Sequence, residues 1–140
     1  MTRVQIRLLV TILSLGRLSN GLAQIETVSL RAGDTSQLLF IKQSIKPIYV
    51  INIDSNGQKV SEGLYSLGVK YKKWSYYFPE MRLLITYVND SVAIVKQYEN
   101  EKLSWSGKYL YGKRNGIWYK YIKSKISRFH YKNGKIAWVD

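Results

Sequence analysis

An all-β fold of consecutive antiparallel hairpins is what this 140-residue chain predicts, and three observations predict it. Tyrosines recur every 22 residues, at Tyr65, Tyr87, Tyr109 and Tyr131, and three residues beyond each stands a turn former, Gly68, Asp90, Gly112 or Gly134. The stretch GLYSLGVKYKKW from Gly63 to Trp74 returns as GKYLYGKRNGIW from Gly107 to Trp118, and Tyr77 is answered by Tyr121 at the same offset of 44. Aromatic and β-branched runs alternate with Asn-Gly pairs, which supply the positive φ that a tight hairpin needs. A fixed period between about 20 and 50 residues marks stacked supersecondary units, none of which buries its face alone.

The elements follow in order. Residues 1–23 read as a secretory signal: a basic start, MTRVQIR, the apolar run from Leu8 to Gly16, then RLSNGLAQ with cleavage expected after Ala23. The apolar run falls well short of the roughly 20 residues that a spanning helix needs. Residues 24–53 are expected to form an N-terminal β cap. Its strands are QLLFIK, whose contiguous apolar residues suit a strand covered on both sides, and PIYVINID, opened by Pro47. Residues 54–140 form the repeats. In the best copy KYLY is one strand, GKRNG the turn with Asn115 and Gly116 at its centre, and IWYKYIK the other strand. In the earlier copy Tyr71 and Lys72 replace that pair, which predicts a looser turn. The unit from Tyr87 to Tyr98 keeps its tyrosine and a turn at Asn89 and Asp90, and has lost the glycine and tryptophan. No helix is expected after residue 23.

Composition limits the chemistry. The chain contains no cysteine, which excludes disulfides, thiolate metal sites and a cysteine nucleophile. His130 is the sole histidine, and its neighbourhood RFHYKNGK offers no acid to orient it as a general base. Glu99 and Glu101 are too close to a turn at Asn100 to read as a catalytic pair. No glycine-rich phosphate loop precedes a helix. A non-enzymatic protein is therefore expected, with no cofactor and no metal.

Charge is the more informative quantity. The net charge is +13, and loss of residues 1–23, with Arg3, Arg7 and Arg17, would lower it to +10. Between Glu101 and Asp140 stand ten Lys or Arg residues and no carboxylate. Lys108, Lys113, Arg114, Lys120, Lys123, Lys125, Arg128 and Lys132, with Lys135 beside them, are the candidate contacts for an anion or an acidic partner. The same residues also suit the solvated turns and edges that keep sheets from pairing end to end. For an exported chain, periplasmic or extracellular, the partner would be anionic envelope material, a lipid or glycan, or a protein. Peripheral membrane contact is among the expected modes, and nucleic acid is not expected.

The pattern G-x-Y-x-x-G followed by W-x-x-Y resembles the MORN-type repeat in its bacterial, exported or antitoxin-like form. Gly107, Tyr109, Gly112, Gly116, Trp118, Tyr121, Asn133, Gly134 and Lys135 carry the likeness in one part, and Gly63, Tyr65, Gly68, Trp74 and Tyr77 in the other. It spans roughly residues 54 to 137. The resemblance implies an elongated sheet of hairpins. It also implies a scaffold that binds membranes or proteins, or alternatively an antitoxin or immunity-like protein that blocks a toxin. It transfers no catalytic residue, because the shared positions are structural ones.

Overall fold

The computed structural model describes residues 25–140; the expected signal segment, residues 1–23, lies outside the described residues. Strand β1 (Glu26–Arg31) leads through helix α1 (Thr35–Gln43) to β2 (Ile48–Ile53). Eight strands follow: β3 (Lys59–Ser66), β4 (Val69–Phe78), β5 (Met81–Tyr87), β6 (Val92–Glu99), β7 (Lys102–Leu110), β8 (Lys113–Ile122), β9 (Lys125–Lys132) and β10 (Lys135–Val139). All ten lie in one open sheet in chain order, so the expected all-β sheet of successive hairpins is the fold observed. Among the described strands only β1 and β2 pair in parallel, and the helix between them makes the crossover that parallel strands require.

Helix α1 replaces the strand expected at QLLFIK. The Asp34 side chain caps it by accepting from the Gln37 amide at 3.0 Å. Leu38 and Ile41, three apart, turn inward while Leu39 and Phe40 face out, so the contiguous apolar run is a helix with one buried stripe. Pro47 does precede its strand, and Pro79 does follow the end of β4.

Two-residue turns close most of the hairpins on one long edge of the sheet. Leu67 and Gly68 have φ of 51° and 77°, Tyr111 and Gly112 49° and 76°, and Asn133 and Gly134 51° and 80°. These are the paired positive φ values of a tight hairpin turn. The turn between β7 and β8 is therefore not centred on Asn115 and Gly116, as the Asn-Gly signal suggested. Those two residues lie inside β8, where Gly116, at φ 71°, sits in a bulge that shifts the register between Ser106 and Lys108. Lys72 occupies the same place in β4 at φ 55°, beside a register shift at Gly63 and Leu64. The earlier copy is thus not a looser turn, because both copies use the same turn and the same bulge.

Strand pairing sorts the side chains onto two faces. On the helix face one row crosses the sheet: Val28, Val50, Gly63, Trp74, Ile85, Val95, then Gly107 with Trp118, then Phe129. Tyr65, Tyr87, Tyr109 and Tyr131 stand on alternate strands of that same face, which is why they recur every 22 residues. The core divides in two along this row. Val28, Leu30, Ile41, Ile48, Val50 and Trp74 form one cluster under the helix, and Ile85, Ala93, Val95 and Trp118 form the other.

The glycines of the row are filled by their neighbours. A methyl group added to Gly63 would fall within the indole of Trp74, and one added to Gly107 within that of Trp118. Trp74 Nε1 donates to the Leu64 carbonyl at 2.9 Å, and Trp118 Nε1 to the Lys108 carbonyl at 3.0 Å. Each tryptophan therefore lies across the preceding strand and bonds one residue past the glycine. Both are fully buried although the sheet is a single layer. Burying an indole of about 200 Å² removes enough apolar surface to stabilise by roughly 5 kcal/mol, an upper figure.

Candidate functional site

The face opposite the helix is open. Exposed Tyr71, Lys73, Ile94, Lys96, Lys108, Ile117, Tyr119, Ile126, Arg128 and Trp138 lie on it. Cation and apolar side chains alternate across the strands: Ile94 is opposite Lys108, Lys96 opposite Ser106, and Tyr119 opposite Arg128. From β5 to β9 no carboxylate projects to this side among the described residues. Mixed signs are usual on a merely solvated surface, so a central stretch of cations with apolar rings between them, bounded by Glu62 on β3 and by Asp140 after β10, is the feature to account for.

The basic residues singled out from sequence do not form one patch. Lys108 and Arg128 lie on the open face, while Lys113, Lys132 and Lys135 flank the turns of one long edge. Lys123 and Lys125 lie at the opposite edge, by the turn between β8 and β9. Arg114 and Lys120 point to the helix face and are half-buried. The Arg114 guanidinium lies 4.3 Å from the Trp118 ring centre, 4.6 Å from Trp105 and 5.2 Å from Tyr131, and donates to the Tyr131 hydroxyl at 2.8 Å. Lys120 Nζ lies 5.2 Å from Trp105. These two cations already have aromatic partners.

The repeat residues are placed as a structural set. Around Trp74 stand Tyr65, edge-on at 5.1 Å, and Tyr76 at 6.2 Å; around Trp118 stand Tyr109 at 5.5 Å and Tyr131 at 6.2 Å. Lys70 covers Trp74 at 4.8 Å as Arg114 covers Trp118. Lys70 also donates to the Tyr76 hydroxyl at 2.7 Å, which bonds Tyr87 at 2.9 Å. Burial, then that bond, push the Tyr87 hydroxyl far above the usual tyrosine range, so it stays neutral. Tyr77 and Tyr121 face the other way: Tyr77 donates a short hydrogen bond to Glu62, and Tyr121 bonds Ser106 at 3.0 Å.

His130 has an acidic partner after all. Asp140, ten residues on, bonds its Nε2 at 2.8 Å, Arg128 approaches the same carboxylate at 3.6 Å, and Trp138 stacks on the ring at 4.3 Å. The hydrogen bond from His130, then the nearby charges, hold the Asp140 carboxyl below its usual range. These contacts fasten β10 to β9. A cleft of about 530 Å³ lies beside the β4–β5 and β6–β7 turns, lined by Tyr77, Arg82, Tyr98 and Glu101 among others. Arg82 there stacks on Tyr98 at 4.7 Å and meets Glu101 at 3.6 Å. No group of three or more His, Cys, Asp or Glu side chains gathers among the described residues.

Reading the sequence missed Lys73, Lys96, Ile94 and Ile117 as members of a surface. The signal was the two-residue alternation, as in Ile94 with Lys96 and Ile117 with Tyr119, once the bulge at Gly116 fixes which face each strand presents. Comparison with family models, with curated proteins and with solved structures finds no match to this chain.

Proposed function

We propose that this chain is an exported binding module that catalyses no reaction and presents its open face to an acidic partner: an anionic envelope lipid or glycan, or an acidic protein. The observation that carries the reading is the open face itself. Lys73, Lys96, Lys108 and Arg128 stand exposed among Ile94, Ile117 and Tyr119; strands β5 to β9 send no carboxylate to this face, and Asp140, after β10, meets Arg128 alone of the four. Cations on a low-dielectric apolar sheet attract polyanions at long range, and the rings between them supply contact area. Export is supported by the basic, apolar and small-residue order of residues 1–23. The Gly63–Trp74 and Gly107–Trp118 pairs support a MORN-like repeat as the unit of construction.

The test is retention on immobilised dextran sulfate as salt rises. The variant Lys73→Gln, Lys96→Gln, Lys108→Gln, Arg128→Gln should elute at much lower salt than the parent chain, with stability within about 0.5 kcal/mol because these positions are exposed. Unchanged elution would make the face a solvated surface and sink the reading. A one-to-one complex with a single protein, indifferent to salt, would instead favour a toxin-blocking role.

A further inference from the structure

The two long edges of the sheet differ. On one edge four of the five connections present a large apolar side chain: Ile45 before β2, Leu67 between β3 and β4, Val88 between β5 and β6, and Tyr111 between β7 and β8; the fifth, between β9 and β10, is Asn133 with Gly134. The four apolar residues are 80%, 72%, 57% and 76% exposed. On the opposite edge the connections are polar apart from Pro79: Asp54 to Gln58, Pro79 with Glu80, Asn100 with Glu101, and Lys123 with Ser124. The acids are unevenly placed as well. Lys46, Lys113, Lys132 and Lys135 stand in or beside the turns of the apolar edge with Asp90 as the one carboxylate in those turns, whereas the other edge mixes Asp54, Glu80, Glu99 and Glu101 with Lys102, Lys123 and Lys125.

Leu67 and Tyr111 are more than incidental. Each opens a tight turn at φ near 50°, a left-handed conformation that costs a large side chain and that Asn tolerates, as Asn133 does in the equivalent turn. Neither side chain gains burial in return. Strained, solvent-facing apolar residues at repeated positions point to an external contact. Neighbouring tips are about two strands, roughly 10 Å, apart, so they form one row along the edge.

We propose that this edge is where the chain meets an anionic lipid surface, with Ile45, Leu67, Val88 and Tyr111 entering the headgroup region and the flanking lysines contacting phosphates. A row of apolar tips with lysines beside it matches an interface of negative charge, and the acids of the opposite edge are then held away from it. The inference rests on the reading of the chain as a binder of acidic partners and names the lipid as that partner.

Two measurements test it. The double variant Leu67→Asn, Tyr111→Asn keeps both turns in the geometry that Asn133 already adopts, so it should fold as stably as the parent. Its partition onto vesicles of equimolar phosphatidylglycerol and phosphatidylcholine should fall about tenfold or more. Its retention on dextran sulfate should be unchanged, while the open-face glutamine variant shows the reverse emphasis. In the second, Tyr111→Trp should be quenched by brominated lipid. Undiminished vesicle binding by the double variant, or no quenching, overturns the edge and leaves the open face standing. A parent chain that binds neither vesicles nor dextran sulfate overturns both.

Discussion

The hairpin of β3 and β4 and the hairpin of β7 and β8 hold the same glycine and tryptophan, yet they are sealed by different lids. Trp74 shares its core with Ile41 of α1, so a helix closes that end of the sheet. Among the described residues no helix lies above Trp118. Arg114 lies across Trp118, Trp105 and Tyr131 without it, whereas its counterpart Lys70 over Trp74 is backed by the helix. The contrast teaches that the repeat supplies the socket, and that the cover can be assembled from whatever the neighbouring strand offers. It also explains why a residue that looked like a surface contact is a packing residue.

The largest effects should come from the indoles. Trp118→Ala and Trp74→Ala should each cost about 3 to 5 kcal/mol in urea unfolding, the range for removing a buried aromatic. Only Trp74→Ala should also raise hydrogen exchange of the α1 amides. Equal loosening of α1 by both variants would break the comparison, because the two clusters would then be one.

The lids come next. Arg114→Ala should cost about 2 kcal/mol, since a stacked, half-buried guanidinium over three rings loses both cation–π attraction and cover. Lys70→Ala should cost less than about 1 kcal/mol, because α1 already covers that end. Equal costs would mean that the helix contributes little to sealing Trp74.

A smaller difference lies on the reverse face. Glu62 accepts from Tyr77 where the other copy sets Ser106 against Tyr121. Burial works to raise the Glu62 carboxyl, but hydrogen bonds from Tyr77 and Lys59 outweigh it and hold the group below its ordinary range. A carboxyl lowered on folding adds stability that is present above its unfolded value, near about 4.3, and is lost as pH falls through the folded value. Glu62→Gln should therefore flatten the decline in stability on acidification below that pH. An identical decline in the variant would mean that the pair adds nothing.

Much of the fold was legible because the residues that repeat are those whose geometry allows no substitute. The tyrosines gave the two-strand rhythm, and Gly68, Gly112 and Gly134 marked real turns. Helix α1 was hidden because LLFI reads alike as a covered strand and as a helix segment, although Asp34 three residues before Gln37 was a visible cap. Asn115 with Gly116 misled because positive φ serves a bulge as well as a turn. The binding surface was the least legible part. Neither Arg114 under its rings nor Lys73 and Lys96 beside Ile94 can be assigned to a face until the bulges fix strand parity.

Everything depends on the interlock of glycine and indole, and a double-mutant cycle on Gly107 and Trp118 tests it most directly. Gly107→Ala should cost about 3 kcal/mol in the parent chain, because the added methyl falls inside the ring. In a Trp118→Leu background, where the space over Gly107 is free, the same change should cost less than about 1 kcal/mol. An equal cost in both backgrounds would contradict the account.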